Sequence, residues 1–116
     1  MARKPIAEMS FSQVYPLLVQ KAERKGRTRA EVDAACCWLT GYDEAGLARQ
    51  LERGVTYQEF FDEAPAMNPN RALITGKVCG VDVAAIEDPV ERCARYLDKL
   101  VDELARGKAL EKVLRS

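Results

Sequence analysis

Three times this sequence sets a serine or threonine three residues ahead of a glutamine or glutamate: Ser10 with Gln13, Thr28 with Glu31, and Thr56 with Glu59. In that spacing the hydroxyl accepts from a first-turn N–H and the longer side chain reaches back to the N–H of the cap, so each pair opens a helix. Asp88, Pro89 and Glu91 make a further start, with a proline at the first helical position, where its missing N–H would have had no partner. Gly26, Gly41, Gly54 and Gly107 stand where apolar periodicity stops, and glycine ends helices readily because it enters the left-handed region without a Cβ clash. Punctuation of this kind restricts the chain to a bundle of short helices.

The first segment carries Phe11, Val14, Leu17, Leu18 and Ala22 at helical spacing. Pro16 interrupts its ladder, which predicts an irregular first turn and a regular helix only from about Tyr15. Thr28 opens a helix over 29–40 whose apolar residues wrap most of its circumference, from Ala30 and Val32 to Cys36, Cys37, Trp38 and Leu39. A helix of that kind belongs in the core. Asp43 caps a third helix to about Arg53, with Leu47 and Leu51 on one face. Thr56 opens a short fourth that turns Tyr57, Phe60 and Phe61 inward and stops before Pro65.

Asn68 before Pro69 reads as the start of a segment through about Thr75. The stretch ITGKVCGVDV, 74–83, suits either a short hairpin or an irregular turn, and the turn is favoured. From Asp88 a long helix runs to about residue 106, with apolar residues at 90, 94, 97, 101 and 104 and with Cys93 and Leu100 widening the stripe. The tail KALEKVLRS adds a short helix with Leu110, Val113 and Leu114 on one side. The expected fold is all-α: an N-terminal extension over 1–8, then one compact helical domain over 9–116 with five or six helices and a short irregular or β segment near 74–83.

A chain of 116 residues fits one domain, and 47% hydrophobic with 31% charged residues is an ordinary folded composition. Eighteen basic residues balance 18 acidic ones, so no global field steers a polyanion or an anionic membrane. The N-terminus lacks the apolar run of a signal peptide, and nothing approaches the roughly 18 apolar residues of a membrane span. The expectation is a cytoplasmic protein with reduced thiols and no membrane association.

There is no histidine, which removes the commonest general base, the Ser-His and Cys-His nucleophile pairs and most zinc-enzyme ligand sets. Cysteines at 36, 37, 79 and 93 do not match zinc-ligand spacing. Adjacent Cys36 and Cys37 project about 100° apart on a helix and cannot share a ligand, so they read as core residues. No catalytic residue, cofactor or metal ligand is assigned.

Three other features invite function. Asn68, Asn70 and Arg71, near Asp62 and Glu63, could line a polar groove. Cys79, in a glycine-rich turn beside Lys77, is the candidate nucleophile for a cysteine-dependent enzyme. Lys21, Arg24, Lys25, Arg27 and Arg29 bracket the turn at Gly26 and could touch nucleic-acid phosphates, although the following helix offers few side chains to base edges. The leading expectation is a small cytoplasmic, non-catalytic interaction module. A homodimer through the 90–104 stripe or the tail is its expected partner.

The strings MSFSQVYPLL, KAERKGRTRAEVD, WLTGYDEAGL, FFDEAPAMNPNRALITGKVCGV and IEDPVERCARYLDKLVDELARGKALEKVLR resemble the bacterial domain-of-unknown-function family numbered 2200. The resemblance runs from Met9 to Arg115. It implies no assigned activity, cofactor or catalytic residue, so no functional position transfers.

Overall fold

The computed structural model describes residues 8–78 and 80–114. Six α-helices lie among them: α1 (Phe11–Glu23), α2 (Arg29–Thr40), α3 (Glu44–Arg53), α4 (Tyr57–Asp62), α5 (Pro89–Ala105) and α6 (Leu110–Val113). Between α4 and α5 come a 3-10 turn (Pro69–Leu73), strands β1 (Lys77–Val78) and β2 (Val81–Asp82), and a second 3-10 turn (Val83–Ala85). The expected all-α class holds, and no helix of the described residues is long and apolar enough to cross a membrane.

Thr28 and Thr56 each form the full reciprocal capping box with Glu31 and Glu59. Asp43 accepts from Gly46 N at 2.6 Å and Asp88 from Val90 N at 3.1 Å. Ser10 departs from this pattern. Its hydroxyl bonds the Ser12 hydroxyl at 2.8 Å, and the backbone around it pairs with the α3–α4 connection. Phe11 N donates to Val55 O and Tyr57 N to Met9 O, both at 2.9 Å, and these bonds fix where α1 starts.

Helix α1 is therefore regular from Phe11, and Pro16 sits inside it rather than delaying it. The proline faces solvent and removes one ladder bond, while Phe11, Tyr15, Leu18, Val19 and Ala22 are all buried. Packing of that face outweighs the lost bond. Residues 74–83 also correct the expectation of an irregular turn. Within them Lys77–Val78 and Val81–Asp82 pair as a minimal antiparallel ladder, with Lys77 opposite Asp82 and Val78 opposite Val81. Gly80, just before β2, has φ 78°, in the left-handed region that glycine enters without a Cβ clash.

Helix α5 is the axis of the fold and packs against α1, α2, α4 and α6. Leu97, Leu100, Val101 and Leu104 are fully buried, as is Val113 of α6. The stripe considered as a dimer seam thus faces the chain's own core. Beside it the aromatic residues gather: Phe11 stacks on Phe60 with centroids 4.0 Å apart, Tyr42 stacks on Phe60 at 5.0 Å, and Tyr57 lies parallel to Phe61 at 5.6 Å. Trp38 is only half-buried, because α2 turns Val32, Ala35, Cys36 and Leu39 inward and leaves Trp38 at the edge.

The tyrosines make this core sensitive to alkali. Tyr42 donates from its hydroxyl to Phe60 O at 2.7 Å, and burial, with the Glu63 charge adding, pushes its phenol up to about 12. Burial also raises Tyr57 and Tyr15, the latter helped by its hydrogen bond to Asp33. Folded protein holds these protons more tightly than unfolded chain, so their stabilisation is complete below pH 10, the ordinary tyrosine value, and is lost as pH climbs towards about 12. Tyrosinate absorbance near 295 nm should rise together with loss of helical circular dichroism. Full ionisation of all tyrosines near pH 10 with unchanged helicity would contradict this.

Candidate binding cleft

The turn after α4 is tied to the end of α2: Ala66 N donates to Thr40 O at 3.1 Å and Asn68 N to Leu39 O at 3.0 Å. The Asn68 side chain accepts from Asn70 N at 2.8 Å, and Pro69 starts the 3-10 turn that carries Arg71 and Ala72. Opposite stands the first half of α5. Its residues 89, 92, 93 and 96 share one face at i, i+3, i+4 and i+7 spacing. Between the two lies a cleft of about 440 Å³, lined by Pro69, Arg71, Ala72, Pro89, Arg92, Cys93 and Tyr96. That volume falls within the range of small-ligand sites.

Two guanidinium groups dominate its chemistry. Arg71 Nη1 donates to Asn68 O at 2.8 Å and Arg92 Nε to Ile86 O at 2.7 Å, which orients each side chain and leaves most of its N–H donors for another partner. Four of the described arginines are half-buried, Arg27, Arg71, Arg92 and Arg95. Arg27 pairs with Glu31, and Arg95 with Asp98 at 3.2 Å. Among the described residues Arg71 and Arg92 have no carboxylate partner, whereas Arg27 and Arg95, of the same burial class, each have one. Cys93 lies near both. Burial pushes its thiol up while the charges of Arg71 and Arg92 pull it down.

The remaining sequence candidates fall elsewhere. Asn68 and Asn70 shape the turn but do not line the cleft, and Glu63 is held by Arg53 at 2.6 Å and Gln50 at 3.3 Å. Cys79 lies outside the described residues. In the basic cluster Lys21 pairs with Asp102 at 3.3 Å, Arg27 with Glu31, and Arg29 with Asp33 at 3.8 Å. Arg24 and Lys25 remain exposed without an ion pair among the described residues. Of the cleft lining, sequence reasoning singled out only Arg71; it missed Pro69 and Ala72 beside it and Pro89, Arg92, Cys93 and Tyr96 on α5. The signal for the α5 residues was a second line of helical spacing alongside its buried stripe.

Cys36 and Cys37 behave as packing residues. Cys36 is fully buried, and burial followed by the nearby Asp33 charge raises its thiol well above the ordinary value. Burial, then Asp33, Glu44 and Asp43, raises Cys37. At neutral pH a soluble maleimide should label Cys36 at least about tenfold more slowly in native protein than in denaturant, since the thiolate is the reacting form. Equal rates for both thiols in the two conditions would remove the core assignment. Among the described residues no group of three or more potential ligands gathers to hold a metal ion.

A family model described as an uncharacterized protein conserved in bacteria, DUF2200, matches residues 5–115. The chain belongs to the DUF2200 family. The solved structure titled "Crystal structure of uncharacterized protein SP1917" is 46% identical in sequence, covers 98% of this chain and 93% of its own, and superposes with a TM-score of 0.89. No curated protein matches the chain. The helical architecture around the cleft is thus shared with that structure, while DUF2200 membership carries no chemistry to the cleft.

Proposed function

We propose that this DUF2200 protein is a small cytoplasmic, non-catalytic interaction module whose working surface is the cleft between Pro69–Leu73 and the start of α5. The observation that carries the reading is the pair Arg71 and Arg92, half-buried in one concave site and unmatched by carboxylates among the described residues. Other features agree with it. The described thiols are raised rather than activated, as Cys36, Cys37 and Cys93 all illustrate, and free thiols suit a reducing compartment. Self-association through the α5 stripe is not part of the reading, because those leucines and valines are spent on the core.

Ala72 is exposed on the rim, so Ala72→Trp should fill the cleft and leave folding intact. Native mass spectrometry of untagged protein from its own host should find a retained species on the wild type and lose it in this variant, with thermal stability unchanged. The same added mass on both proteins, or none on either, would refute the assignment.

A further inference from the structure

We infer that the cleft receives a small organic anion, with a carboxylate or phosphate head between Arg71 and Arg92 and an apolar body against Pro69, Ala72, Pro89 and Tyr96. The inference rests on the cleft being the working surface and names the chemistry it takes. Both arginines are half-buried residues lining one concave site without a counter-charge among the described residues, and an incoming oxyanion supplies one. The planar fork of arginine matches two oxygens of a carboxylate or phosphate. Arg71 Nη1 and Arg92 Nε are already held by Asn68 O and Ile86 O, so less ordering remains for binding to bring about.

Asp88, next to Pro89 of the lining, accepts from Val90 N of its own helix and forms no ion pair with either arginine. Cys93, on the same lining, has its thiol raised by burial and offers no competing charge. The walls decide against a bare inorganic ion. Two prolines, Ala72 and the nearly buried ring of Tyr96 present apolar surface that an inorganic ion leaves uncovered and an organic body covers.

The test is two-dimensional NMR of the isotope-labelled full chain, titrated at constant ionic strength with benzoate, phenyl phosphate, inorganic phosphate and the neutral benzamide. Benzoate or phenyl phosphate should shift the Ala72, Cys93 and Tyr96 amides and the Arg71 and Arg92 side-chain N–H signals saturably. Benzamide should not, and inorganic phosphate should bind more weakly than its phenyl ester. The source of the head group follows from which anion binds tighter. Arg71→Gln and Arg92→Gln should each weaken binding about tenfold or more. Arg71→Lys and Arg92→Lys, which keep charge and lose the fork, should recover only part of it.

Equal shifts with benzamide and the anions, or no cleft response at tens of millimolar, would overturn the anion chemistry whether or not the variants fold. If the anions fail while Ala72→Trp still strips a retained species from the native protein, the cleft survives as the working surface and only its chemistry falls. If Ala72→Trp changes nothing, both fall.

Discussion

Phe60→Ala is expected to lower the stability of the protein by about 3–5 kcal/mol, the usual range for removing a buried ring. Phe60 is fully buried and central to the aromatic group, stacking on Phe11 at 4.0 Å and on Tyr42 at 5.0 Å, and meeting Phe61 edge-on at 5.2 Å. Its neighbours come from α1, the α2–α3 turn and α4, so they cannot all close on the vacated volume. The surface residue Leu17, 61% exposed, is the reference. Leu17→Ala should change stability by no more than about 0.5 kcal/mol. Urea unfolding of both variants checks the pair. A cost at Phe60 no larger than at Leu17 would mean that the aromatic group is not the core.

Gly41→Val should cost about 3 kcal/mol or more, from left-handed backbone strain of roughly 1–2 kcal/mol together with a steric clash. Gly41 sits at φ 81°, and a Cβ there would stand 2.7 Å from Ala66 O and 2.9 Å from Ala66 N. Both are backbone atoms of the segment that hydrogen-bonds back to Thr40, so relief requires moving that segment. Gly26→Val separates the two contributions, because Gly26 has a similar φ of 79° and a Cβ added there would meet no atom within 4 Å. Thermal unfolding should rank Gly41→Val well below Gly26→Val. The Gly41 variant should also loosen the turn carrying Arg71 and weaken benzoate or phenyl phosphate binding, which the Gly26 variant should leave unchanged.

The helices were legible because their boundaries are local chemistry. Thr28 with Glu31 and Gly41 bound α2 without help from the rest of the chain, and the same holds for Asp43 with Gly54 around α3. Where tertiary contacts compete with local signals, sequence reasoning slipped. Ser10 gives up capping for pairing beside Thr56, and Pro16 is carried inside α1 by the burial on either side of it. The pairing of 77–78 with 81–82 lies in a stretch equally rich in turn and strand signals, with left-handed glycines at Gly76 and Gly80.

The candidate site was half legible. Arg71 stood out beside Asn68 and Pro69, yet its counterpart Arg92 lies 21 positions further on, in a helix whose apolar stripe drew the attention. Nothing local reports that the Pro69–Leu73 turn is pinned to the end of α2 and so held across from the first turns of α5. The same non-locality explains why the 90–104 stripe suited either a dimer seam or a core until its neighbours were known, and why the basic cluster looked free before Asp102, Glu31 and Asp33 were placed beside it.

Cys93 offers the most direct measurement, since it lines the cleft with Arg71 and Arg92 while half-buried Cys37 lies outside the cleft lining. Maleimide labelling of intact host cells and of the purified protein, resolved peptide by peptide, gives the rate at both thiols, with Cys37 as the internal reference. If the cleft is the working surface, Cys93 is slowed in cells relative to purified protein while Cys37 is not, and Ala72→Trp abolishes the difference between cells and purified protein. A Cys93 to Cys37 rate ratio that is the same in cells and in purified wild-type protein would contradict the account.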